Sequence, residues 1–228
     1  MTMERFGALR RVPENQDPTK QFAIGEMEHL FTSAGLKDLE PKTEAVPVAE
    51  NPSLKLLEQA VKEFKGKPHN SEVVTSYWQA LWSVWGEKAG LSLKVPLCDR
   101  TAEEIARLEK ESRKLIYVPD ELASQESRHL LRRIFPEMES DSVKKGNSVT
   151  NESNQGGWFD IEASLDTPNF DTKEKDLRNL LKRQGKDGQR LNVYIVGSQD
   201  AKLQTGHYFD EKTASRLVGS RDEGHVVD

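Results

Sequence analysis

SEVVTSYWQALWSVWGEKAG, residues 71–90, carries the strongest structural signal in the chain. Advanced by about 100° per residue, its apolar side chains fall on one broad arc of a helix. Val73, Val74, Tyr77, Trp78, Ala80, Leu81, Val84 and Trp85 share that arc, with Trp82 at its edge. Glu72, Thr75, Ser76, Gln79, Ser83 and Glu87 take the opposite side. Three of the four tryptophans lie here, and each can bury roughly 150–250 Å². The spacing predicts the main core-forming helix. Trp82 is expected to pack under residues 36–51, or else to cover a groove for a partner or a stacking ligand.

On its N-terminal side, PSLKLLEQAVKEFKG (residues 52–66) starts a helix at Pro52 or Ser53, and Gly66 ends it. Its face is Leu54, Leu57, Ala60, Val61 and Phe64. The connection Lys67 to Asn70 is short, which makes the two helices antiparallel neighbours. On the other side, GLSLKVPLCDR (residues 90–100) reads as an edge strand or an extended crossing, because Pro96 interrupts its alternation. Thr101 and Glu104 form a capping box for a helix reaching Lys114. Leu115 to Val118 reads as a short buried strand, and Ser124 opens a helix that turns Ala123, Leu130, Leu131 and Ile134 inward and stops before Pro136.

Beyond Pro136 the composition changes. Residues 136–156 read as a polar loop, or a hairpin around Gly146 and Asn147, dividing a mainly helical region (19–135) from a mixed one (157–228). Phe159, Ile161, Ala163 and Leu165 alternate with polar neighbours, the period of a half-buried strand. Asp171 and Glu174 suggest a capped helix with Leu177, Leu180 and Leu181 inward and Gly185 at its end. LNVYIV, Leu191 to Val196, reads as a strand, so the region holds a strand–helix–strand unit, either a right-handed βαβ crossover or an antiparallel placement. Asp210 to Val218 reads as a short helix. The close, Gly224 to Asp228, reads as the opening of a strand cut short, so the natural chain is expected to extend further. Residues 1–18 read as a polar arm, Phe22 to Phe31 as a helix stopped by Gly35, and 36–51 as a linker or an extended packing segment. The expected fold class is α+β or α/β: a helical N-terminal half packed with a small C-terminal sheet.

Composition narrows the function classes. A chain of 228 residues makes one large domain or two small ones. A net charge of -5 argues against a general nucleic-acid or anionic-membrane binder. The single cysteine, Cys98, makes no internal disulfide and supplies no zinc spacing. There is no run of about 18 apolar residues and no apolar core of a secretory signal at the N-terminus. A soluble, cytoplasmic protein is the expectation, and nothing in the sequence points to a cofactor or an oligomeric state.

Three features offer chemistry. Val196, Gly197, Ser198, Gln199 and Asp200 follow the expected strand, where open α/β sheets gather ligands. Gly197, Ser198 and Asp200 are the ligand-binding candidates, against ordinary turn and N-cap chemistry. The same V-G-S-x-D pattern recurs from Val218 to Asp222, a match better explained by coincidence than by a doubled site. Second, Asp160 and Glu162 share one strand face about 7 Å apart and could hold a divalent metal or divide acid and base roles. The plainer reading is a solvated face, and no metal set is assigned. His207, Asp210 and Glu211 are further ligands in sequence terms only. Third, Arg128, His129, Arg132 and Arg133, then Lys175, Arg178, Lys182 and Arg183, are basic clusters. Over residues 120–190, however, 12 Lys and Arg face 14 Asp and Glu, so solvated faces with local ion pairs are expected.

No catalytic constellation stands out above these alternatives. The first functional reading is an interaction or ligand-binding module with a protein partner or a small ligand. The second is an enzyme acting on a phosphorylated or nucleotide substrate through Val196 to Asp200.

Overall fold

The computed structural model describes residues 2–4, 6–9, 52–138, 140–166, 173–211, 213–222 and 225–227. Pro52 opens α1 (Pro52–Lys65), its missing N–H costing nothing in a first turn. Asn70 then starts the tryptophan helix α2 (Ser71–Ala89): its side-chain oxygen accepts from the Val73 N–H at 2.9 Å. Gly90 ends that helix with φ 73°, a left-handed turn that suits glycine.

Thr101 and Glu104 make a complete capping box for α3 (Ala102–Lys110). This helix ends at Lys110 rather than Lys114, because Ser112 reverses the chain at φ 55°. Two short helices, α4 (Asp120–Ala123) and α5 (Arg128–Ile134), follow, so Ser124 closes the first rather than opening one longer helix. Residues 90–100 form no strand. Their extended backbone is held by the Gln79 amide, whose oxygen accepts from Val95 N at 2.9 Å and whose nitrogen donates to Leu93 O at 3.1 Å.

Two sheets hold the strands. β1 (Thr2–Glu4) and β2 (Phe6–Leu9) are successive but join different sheets; the arm expected over residues 1–18 otherwise lies outside the described residues, as do the helix and linker expected over 22–51. β3 (Arg113–Val118) is an edge strand, antiparallel to β5 (Gly157–Glu162) with Leu115 opposite Asp160. β5 and β6 (Asp187–Gly188) both run parallel to β1, which lies between them. The second sheet pairs β7 (Thr213–Asp222) antiparallel with β2, β4 (Thr150–Asn151) and β8 (His225–Val227).

The fold is thus mixed α+β, and its strand–helix–strand unit is β5, α6 (Glu174–Gln184) and β6. The second strand is not the expected one. Leu191 to Val196 belongs to a helix, α7 (Leu191–Thr205), in which every residue from Leu191 to Ala201 except Tyr194 is buried. A short unbroken apolar run fits a buried strand or a buried helix equally. Here packing on every side, against β3, α1 and β7 among others, outweighs the weak helix propensity of Val and Ile. Asp210 to Val218 is likewise not a helix, since most of it pairs as β7. Residues 140–149 contain a 3-10 turn (Asp141–Val143) in place of a hairpin.

α2 covers the edge of the first sheet. Trp78 donates its indole N–H to Leu115 O at 3.2 Å, and Trp82 donates to Tyr117 O at 2.9 Å. Residues one helical turn apart thereby satisfy two carbonyls two residues apart on the edge strand, a position that otherwise invites pairing with another chain. Trp78, Leu81, Trp82 and Trp85 are at most 2% exposed. Trp82 is therefore core, although residues 36–51 lie outside the described part.

Candidate functional site

α7 is helical at the residues expected to form a loop, and this relocates the candidate site. Gly197 and Ser198 lie in its middle, so their N–H groups face along the helix rather than toward a ligand. A Cβ on Gly197 would stand 2.7 Å from Ile161 Cδ1, and Ser198 Oγ accepts from Phe209 N at 3.1 Å. The second V-G-S-x-D copy is in a strand, β7, so the repeated pattern has no common structure.

Asp200 is different. It is 1% exposed, and its carboxylate accepts from three side chains. Tyr77 Oη donates to Oδ1 at 2.5 Å, Lys114 Nζ reaches Oδ2 at 2.5 Å, and Gln204 Nε2 lies 2.9 Å from Oδ1. Asp200 and Gln204 are one turn apart on α7 and so share a face. α2 supplies Tyr77 and the first residues of β3 supply Lys114. Burial, then the negative charge of Asp200, pushes the Tyr77 phenol well above its ordinary pKa of 10.0, so it stays a donor. Lys114 Nζ also sits 5.4 Å from the Phe209 ring centre.

Beside this cluster is a cavity of about 150 Å³. Val74 and Trp78 of α2, Ile105 and Leu108 of α3, and Leu115 of β3 form its apolar walls. Tyr77, Lys114, Asp200 and Gln204 are its polar end, and His69 and Glu109 line it as well. At the rim, His69, Phe64 and Tyr77 stack in series, with centroid spacings of 3.9 and 4.3 Å. One His69 nitrogen meets Phe64 O at 3.0 Å and the other meets the Glu109 carboxylate. The geometry offers a benzene-sized space of mixed lining with a fixed charge pair at one end.

The other expected features lie elsewhere. Asp160 and Glu162 are not on a solvated face: they are 8% and 6% exposed. Asp160 Oδ1 accepts from Arg113 Nε at 2.5 Å, and Glu162 Oε1 accepts from Ser164 N at 2.6 Å. Both carboxylates are thereby engaged by their own neighbours. His207 pairs with Glu211 at 3.0 Å on an exposed turn. Among the described residues, no three His, Cys, Asp or Glu side chains converge as metal ligands. Arg128 is also not solvated; it is fully buried. By contrast, Arg178 does form local ion pairs, at 2.8 Å to Glu174 and 2.8 Å to Glu152.

Sequence reasoning missed Tyr77, Lys114, His69 and Gln204 as site residues. The available signal was slight: a lysine immediately before LIYV, and a polar Asp200 within a stretch that must be buried.

The chain matches no protein-family model, no curated protein and no solved structure. Among the described residues, no helix is long and apolar enough to cross a membrane.

Proposed function

We propose that this chain is a binding module for a small ligand and that the cavity beside Asp200 receives it. The observation that carries this reading is the fixed Lys114–Asp200 pair at the polar end of a cavity of about 150 Å³ whose apolar walls are Val74, Trp78, Ile105, Leu108 and Leu115. A cavity of about that size has room for a benzene-sized molecule. An ammonium group has three donors, and Lys114 uses one on Asp200. The remaining N–H groups suit an oxygen acceptor on the ligand. The ligand is therefore a single ring bearing a carbonyl or similar oxygen, its ring against Trp78 and Leu108.

Benzamide is the probe. Trp78 lines the cavity, so tryptophan emission should change saturably as benzamide is added, and toluene should bind more weakly. Leu108→Trp, which fills the cavity, should remove the response. A benzamide response that is linear and non-saturating, or that survives Leu108→Trp, would sink the reading.

The reading as an enzyme acting on phosphorylated substrates through Val196 to Asp200 has less support. It needs N–H groups bared at a strand end, and those groups belong to the interior of α7.

A further inference from the structure

Two guanidinium groups are buried at the start of α7, and among the described residues neither is bonded to a carboxylate. Arg128, 0% exposed, is satisfied by neutral oxygens. Its Nε donates to Asn192 Oδ1 at 2.7 Å, Nη1 to Asn147 Oδ1 and Val149 O at 2.9 Å each, and Nη2 to Asn151 Oδ1 at 2.9 Å. Arg190, the N-cap of α7, is 2% exposed and much less satisfied. Its Nη1 donates to Ser153 O, and its Cζ lies 4.8 Å from the Phe159 ring centre. Among the described residues its Nε and Nη2 are buried with no partner at all.

Those two atoms are a matched pair. On the planar guanidinium, Nε–H and one N–H of Nη2 run parallel along the same edge, the fork that meets two oxygens of a carboxylate or phosphate. The Phe159 ring takes the face of the guanidinium and leaves that edge unanswered. Buried polar groups in folded proteins are almost always bonded, and exceptions call for a bound ion or water. The helix N-terminus adds about half a positive charge nearby. Gln189 beside it also has an unpartnered buried amide; the site rests on the Arg190 edge alone.

We propose that Arg190 is the anchor of an oxyanion site, separate from the Asp200 cavity, that receives a carboxylate or phosphate group on its Nε–Nη2 edge. The segment from Ser153 to Gly156 lies over this edge on the solvent side: Asn154 and Gln155 are exposed, and the Ser153 carbonyl accepts from Arg190. Gly219 permits the arrangement: a Cβ there would stand 2.9 Å from Arg190 Cγ.

The test uses the full chain and two probes, inorganic phosphate and acetate, against chloride at equal ionic strength. The Arg190 Nε–H resonance should shift saturably with at least one oxyanion and not with chloride. The Arg128 resonance, whose donors are already engaged, should stay in place. Phosphate alone acting assigns a phosphate site; acetate alone acting assigns a carboxylate site. Arg190→Lys keeps the charge but loses the fork, and should weaken binding at least tenfold. If the Arg190 signal moves no more with phosphate or acetate than with chloride, the proposal is overturned. Because the wild-type resonance is read directly, that outcome is decisive even where Arg190→Lys fails to fold.

Discussion

Tyr77 and Asp200, 123 residues apart, are joined by a hydrogen bond of 2.5 Å that ties the tryptophan helix α2 to the buried helix α7. The same carboxylate holds Lys114 of β3 at 2.5 Å. One acidic side chain thus fastens two helices and a sheet edge around the cavity. Buried ion pairs of this kind add little over an apolar replacement, but removing one partner strands the other.

Asp200→Ala should accordingly destabilise the protein by about 3–5 kcal/mol, because Lys114 and Tyr77 both lose their partner. Tyr77→Phe should cost less, about 1.5–3 kcal/mol for a hydrogen bond to a charged group. Urea denaturation midpoints measure both. An Asp200→Ala variant as stable as wild type would show that the cluster does not form.

The indole caps on β3 separate ring volume from hydrogen bonding. Trp82→Phe keeps most of the packing but leaves Tyr117 O, the carbonyl that accepts at 2.9 Å, without its donor. A cost of about 1–3 kcal/mol is expected, rising to about 3–5 kcal/mol for Trp82→Ala. Leu97 is 65% exposed, so Leu97→Ala should stay within about 0.5 kcal/mol. Thermal or chemical melts of the three variants give the ranking.

β6 and β7 cross at a pair of glycines. A Cβ on Gly219 would lie 2.3 Å from Gly188 O, and a Cβ on Gly188 would lie 2.7 Å from Gly219 N. These neighbours are backbone atoms and cannot rotate aside. Gly219→Ala should cost about 1–3 kcal/mol or more through overpacking, readable as a lowered denaturation midpoint. No loss would mean that the strands stand further apart.

The Tyr77 phenol also gives a pH signature. Its folded-state pKa is raised above 10.0, by burial first and Asp200 second. The unfolded chain therefore releases this proton at lower pH than the folded one. The stability this contributes is complete below about pH 10 and declines as pH rises above it. Arg128, pushed down to about 10 by burial, works in the opposite direction over higher pH. Comparing wild type with Tyr77→Phe isolates the tyrosine: their stability difference should shrink between about pH 9 and 11. A difference that grows over that range would contradict the assignment.

Much of the fold was legible because local signals and burial agree. The face Tyr77, Trp78, Leu81 and Trp85 and the capping box at Thr101 and Glu104 each name their element without tertiary knowledge; the alternation at Phe159 and Ile161 names a strand, but Asp160 and Glu162 on its other face are buried too. LNVYIV was not legible, since a helix buried all round carries no periodic mark. The site was hidden for a related reason. Lys114 and Asp200 lie 86 residues apart, and Tyr77 reads as one more apolar-arc residue until α7 is placed against it. Arg128 shows the limit of counting charges: three asparagines, not acids, hold it in the core.

Ligand entry into the cavity beside Asp200 can be read from intermolecular NOEs between benzamide and methyl-labelled protein. Contacts are predicted from the benzamide ring to the methyls of Ile105, Leu108 and Val74, which wall the cavity. Contacts confined to exposed methyls such as Leu54 and Leu56, 55% and 57% exposed, would refute a ligand site there, as would no NOE to any methyl at saturating benzamide.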